Sequence, residues 1–166
     1  MVPHLRHRHR GLLTERPLKP KVVVRSELRA PVEDVWAGIS TLEGVNLEMA
    51  PWMRMSAPAG LDLEDAASGK VLPLDIHGPG GIPLGVYPLR LERIVEGEGF
   101  LERTRMLPFL LWQHERIITP REGGGTTVTD ELGWDWRAHR LDRAFATSVL
   151  RFFEHRHRIL RDTYGG

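Results

Sequence analysis

The stretch WQHERIITPREGGGTTVTDELGWDW, residues 112–136, decides how this chain folds. Two arms rich in β-branched and aromatic residues flank Gly123, Gly124 and Gly125. Glycine supplies the positive φ that a reversal needs, so the segment reads as a β-hairpin. In the second arm Val128, Leu132, Trp134 and Trp136 share one parity, while Thr127, Thr129, Glu131 and Asp135 fill the other. Successive strand side chains point to opposite faces, so the even face is the buried one, and Asp130 lies on it. The first arm is ambiguous, because Leu110, Trp112 and Ile118 oppose Leu111 and Ile117. Register has to arbitrate. Pairing Ile118 with Val128 and Trp112 with Trp134 joins the two even faces, and a slip of one residue would turn every side chain to the wrong side. That register makes His114, Arg116 and Asp130 converge, either lining a ligand cavity or forming a satisfied polar cluster inside the sheet.

The chain has 166 residues, enough for one domain with a real core and room for a cavity inside it. Hydrophobic residues make up 41% and charged residues 27%, the balance of a globular protein in water. There is no cysteine, which excludes disulfides, thiolate nucleophiles and thiolate metal sites. No apolar run approaches the roughly 20 residues that span a bilayer, and no signal-like stretch follows the basic start, so a cytoplasmic protein without an integral membrane segment is expected. The net charge is +1, yet residues 1–21 hold six Lys and Arg against Glu15 alone, a local +5 that leaves −4 on residues 22–166. A mildly acidic body lacks the basic platform that nucleic acid requires.

Residues 1–20, with alternating His and Arg and then Pro17 and Pro20, have no apolar period and read as an N-terminal extension. The spacing of His4, His7 and His9 matches no helical ligand pair, so a metal site is not expected there. The domain proper spans 21–164. KVVVRSEL, residues 21–28, is a first strand. Pro31 opens a helix through Val32, Val35, Trp36 and Ile39, and Ser40 to Glu43 reads as a capping box for a second short helix that stops at Pro51. From Trp52 to Trp136 strands alternate with turns at 57–60, 68–69, 78–81, 96–99 and 120–125. After Arg140 a stripe including Leu141, Phe145, Val149, Phe152, Phe153 and Leu160 marks a long helix that ends at Gly165. One antiparallel sheet of this size must bury a face, and the C-terminal helix alone is long enough to cover it.

That order, with APVEDVW at 30–36, FLERTRMLPFLLWQHER at 100–116, GTTVTDEL at 125–132 and FFEHRHRIL at 152–160, resembles the START-like or SRPBCC superfamily from about Lys21 to Tyr164. It looks closest to ligand-binding and polyketide cyclase/dehydratase-like members. The resemblance implies an α+β helix-grip fold: a curved antiparallel sheet of about six to seven strands wrapped around a long C-terminal helix, with two short helices after the first strand. It also implies binding or transport of a small hydrophobic ligand, a lipid, polyketide or isoprenoid-like molecule, between sheet and helix. No cofactor is implied, and oligomeric state is left open. Where such domains carry a glycine in a GPF-like position, this chain has Leu107 before Pro108 and Phe109, which bears on strand bending and cavity volume. A fold does not transfer a reaction.

Trp52, Met55, Trp112, Trp134 and Phe152 are the flat or adaptable apolar residues suited to enclosing such a ligand, though an ordinary core uses the same types. His114, Arg116 and Asp130 are the polar candidates. Buried charges need partners, so pairing of Arg116 with Asp130 is expected whether or not a ligand binds. In an enzyme reading His114 is the general acid/base and Asp130 fixes its tautomer, as in cyclisation or dehydration. HGPGG at 77–81 lacks the GxxxxGK[ST] and GxGxxG patterns and reads as a turn. His155 and His157, two apart on a helix, face different ways and do not share a metal, while Arg156 or His157 is placed to bond the sheet or cap a carbonyl. HExxH, GxSxG and paired-carboxylate motifs are missing, which disfavours a dedicated hydrolase. The leading expectation is a binder whose cavity opens near the short helices and the 78–85 loop. Beside it stand the cyclase/dehydratase reading and a protein-interaction adaptor with a filled core.

Overall fold

The computed structural model describes residues 17–59, 69–106 and 108–166. The chain runs through β1 (Val22–Leu28), α1 (Val32–Ile39), α2 (Leu42–Met49), β2 (Arg54–Ser56), β3 (Leu72–His77), β4 (Pro83–Leu89), β5 (Leu91–Val95), β6 (Gly99–Met106), β7 (Phe109–Pro120), β8 (Thr126–Trp136) and α3 (Asp142–Tyr164). The fold is helix-grip α+β, as the sequence pattern implies.

The hairpin adopts the register that its buried parity requires. Ile118 faces Val128, Trp112 faces Trp134 and Arg116 faces Asp130. At the reversal, Gly125 has φ +89°, and a Cβ there would come within 2.3 Å of the Leu28 carbonyl oxygen. Only glycine permits both that backbone and that approach. β1 pairs antiparallel with β8, Val24 opposite Asp130, so the buried face continues onto the first strand.

Eight strands among the described residues form two antiparallel sheets, where one sheet of about six to seven strands was expected. Five strands run in the order β1-β8-β7-β6-β5 and three in the order β2-β3-β4. The extended arm from Tyr87 to Val95 breaks at Arg90, where β4 ends and β5 begins. Thr104 Oγ1 donates to the Pro88 carbonyl at 3.1 Å and the Arg103 amide to the Arg90 carbonyl at 3.1 Å, stitching the two parts across the bend. Register also shifts between Thr104 and Met106 and between Phe109 and Leu111. Such irregularities increase local twist and let a sheet curl around a helix. Leu107, between the two shifts, lies outside the described residues.

Helix boundaries follow their caps. Pro31 is the N-cap of α1, one residue earlier than the first helical position expected for it. The cap of α2 is Thr41, whose hydroxyl accepts from the Gly44 amide at 3.0 Å. Ser40 cannot serve there because its own amide completes α1 by bonding the Trp36 carbonyl at 3.0 Å. Leu18 is docked against the sheet: its amide donates to Gln113 Oε1 at 3.1 Å and its carbonyl accepts from Gln113 Nε2 at 3.4 Å. Residues 1–16 of the extension, with His4, His7 and His9, lie outside the described residues.

The interior consists of three apolar clusters rather than one. Leu132, Trp134, Trp136, Val149 and Phe153 form one under the N-terminal half of α3. Leu28, Val35, Ile39, Ile118, Val128 and Leu160 form the second, beneath α1 and the end of α3. Leu72, Leu74 and Tyr87 of the smaller sheet form the third with Leu91 of β5. Burying a Leu or Phe side chain contributes about 1.5–3 kcal/mol, so these clusters dominate the gross stabilisation. Asp130 sits on β8 between Val128 of one cluster and Leu132 of another, where the apolar interior gives way to ion pairs.

Candidate functional site

The buried stripe of α3 contains Val149, Phe153 and Leu160 at helical spacing, and also Arg156 and His157. His157 faces Asp130 on the even side of β8 and Arg156 faces Glu48 on α2, and the result is a buried ionic network. Arg116, 1% exposed, holds Asp130 through Nε to Oδ1 at 2.7 Å and Nη2 to Oδ2 at 2.7 Å. It also holds Glu48 of α2 through Nη1 to Oε1 at 2.8 Å and Nη2 to Oε2 at 2.9 Å. Arg156 donates to Glu48 Oε2 from Nε at 3.0 Å and Nη2 at 2.7 Å. Asp130 Oδ1 lies 3.0 Å from His114 Nε2, and Oδ2 lies 3.0 Å from His157 Nε2. His157 Nδ1 contacts Ser26 Oγ at 2.8 Å, and that hydroxyl accepts from Arg161. The network joins α2, β1, β7, β8 and α3.

The far side of His114 faces β6. Its Nδ1 is 3.7 Å from Glu102 Oε2, an ion-pair separation longer than a hydrogen bond. Glu102 accepts from the Tyr87 hydroxyl and, at 3.3 Å, from Thr104 Oγ1. Phe100 and Phe153 close edge-on against the His114 ring at centroid distances of 5.0 and 5.1 Å.

These surroundings fix the charges. Burial would raise the Asp130 carboxyl, but the charges and hydrogen bonds of Arg116 and His114 together outweigh it and hold the group well below its ordinary 3.8. Burial would likewise raise Glu48, and Arg116 with Arg156 bring it below 4.5. For His114 burial lowers the pKa, yet the Asp130 charge and hydrogen bond prevail and raise it above 6.5. Burial and the neighbouring Glu102 push the Tyr87 phenol well above 10.0. The network contains three acids, Glu48, Glu102 and Asp130, and three guanidinium groups, Arg116, Arg156 and, through Ser26, Arg161.

Beside this network the interior is hollow. A cavity of about 430 Å³ lies between the sheet, the short helices and α3. Trp36, Ile39 and Val45 line it from α1 and α2, Leu74, Phe100 and Trp112 from the sheet, and Phe145, Val149 and Phe152 from α3. Glu102, His114, Arg156 and Tyr87 make its polar end. The interior is therefore not the filled core that an adaptor would have. Ile94 on β5 lines the space and is 37% exposed. The 78–85 loop contributes nothing to this cavity. Its turn, with Gly80 at φ +72°, instead borders a second hollow of about 520 Å³ shared with Asn46, Ala50 and Arg54.

Of the eight residues expected around a ligand, Met55, Trp112, His114 and Phe152 line the cavity, and four do not. Arg116 and Asp130 lie behind His114, fully occupied with one another and Glu48. Trp134 is sealed by stacking on Trp112 at 6.1 Å and by Phe145, with its Nε1 donating to Asp142 Oδ1 at 2.7 Å. Trp52 is 57% exposed, because the turn after α2 sends Met53 inward and Trp52 out against His155. Sequence reasoning missed Glu48, Glu102 and Tyr87. Glu48 follows Val45 by three residues and so shares its helix face, and Glu102 shares parity with Phe100, signals available in the pattern. Among the described residues no three His, Asp or Glu side chains are grouped to hold a metal ion, and no helix is long and apolar enough to cross a membrane.

A curved antiparallel sheet gripping a long helix around an apolar cavity is an architecture this chain shares with solved START-like structures. The chain belongs to the family described as Domain of unknown function (DUF8410), which matches residues 26–164. Similar solved structures include a START superfamily protein from Mycobacterium smegmatis, 16% identical with a TM-score of 0.63 over 86% of this chain and 95% of that one. Protein Ms6760 from Mycobacterium smegmatis is 15% identical, with a TM-score of 0.62 over 85% and 88%. DynU16, from the dynemicin biosynthetic locus, is 17% identical with a TM-score of 0.55, covering 87% of this chain and 48% of that one. At these identities the likeness concerns the fold alone. No curated protein matches the sequence.

Proposed function

We propose that this protein binds a small hydrophobic molecule, of lipid, polyketide or isoprenoid-like character, in the cavity between sheet and C-terminal helix. The observation that carries the reading is the apolar 430 Å³ space with a few converging polar groups at one end. Ligand pockets commonly measure about 300–1,000 Å³ and combine an apolar wall with a few polar groups. The domain begins near Lys21, and the proposal places the protein in the cytoplasm, which cell fractionation reads directly. Titration with aminoanthracene, a neutral fluorescent probe, tests the binding. Saturable one-to-one binding is expected, weakened at least tenfold by Trp112→Ala or Phe152→Ala and unchanged by Trp52→Ala outside the cavity. Failure to saturate, or equal effects of all three substitutions, removes the proposal.

One observation favours a second reading, a cyclase or dehydratase with His114 as acid/base and Asp130 orienting it: His114 both lines the cavity and contacts Asp130 at 3.0 Å. Its weakness is chemical, since Nε2 is bound to Asp130 and Nδ1 faces the Glu102 carboxyl at 3.7 Å, so a substrate would compete with Glu102 for it. Loss of turnover of a poly-β-keto thioester in His114→Gln, with the fold intact, would support it. Unchanged turnover would end it.

A further inference from the structure

A buried polar group of the cavity is Arg156, which is 5% exposed and lines the space from α3. Two of its three guanidinium nitrogens, Nε and Nη2, are committed to Glu48. Among the described residues nothing bonds the third, Nη1, and no buried side-chain nitrogen is left both sealed and unpartnered. Nη1 therefore opens on the cavity. The guanidinium cannot swing away, because Glu48 grips it from one side and its carbon sits 4.9 Å over the Phe153 ring. Resting on the binding role argued above, we propose that Arg156 Nη1 is the anchor of the ligand and that the ligand carries an uncharged oxygen, a ketone carbonyl or hydroxyl, at its inner end.

Charge decides the class of oxygen. Glu48 is matched by Arg116 and Arg156, Asp130 by Arg116 with His114 and His157, and Glu102 faces His114, while Arg161 bonds Ser26, so every acid of the network already has its cationic partner. A carboxylate entering this site would be an extra buried anion beside Glu102, and an uncompensated buried charge is strongly disfavoured. A carbonyl or hydroxyl oxygen accepts the Nη1 proton without that penalty. The wall around it is apolar, so the remainder of the molecule is hydrocarbon or aromatic.

The test displaces aminoanthracene from the full chain with methyl octyl ketone and with ionised decanoate, two ligands of equal carbon count. The ketone is expected to bind at least about tenfold more tightly than decanoate, and about tenfold less tightly to Arg156→Met, in which Glu48 stays paired with Arg116. Isotope-edited infrared spectra of the ketone bound to the unsubstituted protein give a readout that needs no variant. Its carbonyl stretch is expected below the value in hexane, shifted by the guanidinium hydrogen bond. A hexane-like stretch, or decanoate binding as tightly as the ketone, overturns the anchor while leaving the cavity reading intact. Absence of any aminoanthracene binding overturns both.

Discussion

Replacing Arg116 by Met removes the centre of the buried network while keeping an unbranched apolar stem. Four contacts are lost, at 2.7 and 2.7 Å to Asp130 and at 2.8 and 2.9 Å to Glu48. Breaking a buried ion pair by deleting one partner costs about 3–5 kcal/mol, because the remaining charge is left in a medium that solvates it poorly. Here neither acid is wholly abandoned: Asp130 keeps His114 and His157, and Glu48 keeps Arg156. The lower end, about 3 kcal/mol, is the expected loss. For a domain of this size that corresponds to a Tm lowered by about 6–12 °C. Urea unfolding followed through the fluorescence of the tryptophans measures it, with Arg93→Met as the control. Arg93 pairs with Glu115 but is 56% exposed, and an exposed pair contributes about 0–1 kcal/mol. A loss below about 1 kcal/mol in Arg116→Met, or equal losses in the two variants, would refute the claim that burial makes this network matter.

The pH dependence has two opposing limbs. Asp130 and Glu48 have depressed folded pKa values, so their contribution is present above the ordinary 3.8 and 4.5 and is lost as pH falls through the folded values. His114 has a raised folded pKa, so its contribution is complete below 6.5 and is lost as pH rises through the folded value. Stability of the unsubstituted protein minus that of His114→Gln should therefore be greatest below pH 6.5 and shrink above it, and a difference that grows with pH contradicts the assignment. Gly99 has φ +123°, and a Cβ there would lie 1.9 Å from the Arg116 carbonyl oxygen, whereas Gly124, at φ +100°, has nothing within 4 Å. Gly99→Ala should cost more than about 2 kcal/mol and Gly124→Ala about 1–2 kcal/mol of backbone strain, read by the same urea titration.

The fold was legible where the pattern was two-sided. Alternation from Thr126 to Trp136 identified the buried face, and aromatic pairing then selected one register, which brought Arg116 opposite Asp130. The site was legible only in part, because a strand pattern states which face a residue occupies and not what stands across from it. Trp134 and Trp112 share a face, but only the stacking order shows that Trp112 covers Trp134. Glu48 escaped for a different reason: a glutamate on a short helix reads as solvated surface until the helix is seen to dock on Arg116 and Arg156. Trp52 erred in the opposite direction. Its flat apolar ring suggested a place around the ligand, and the local turn after α2 sends it outward.

The network and the hollow explain each other. A void in a protein interior carries a penalty of about 24 cal/mol per Å³, so on that coefficient a dry, closed space of 430 Å³ would amount to about 10 kcal/mol. That is comparable to the whole stability of a typical domain, about 5–15 kcal/mol, so helix and sheet would be driven to close unless something holds them apart or fills the space. The ion pairs do the former. Glu48 on α2, Arg116 on β7, Asp130 on β8 and Arg156 with His157 on α3 are tied at hydrogen-bond lengths that a sliding helix could not preserve. An apolar cluster could slide to fill the space, since hydrophobic attraction has no direction, whereas a bidentate guanidinium and its carboxylates have one geometry. The polar residues that resemble an active site therefore act first as a spacer, and Arg156 is a member of that spacer with a nitrogen still to offer the space it keeps open.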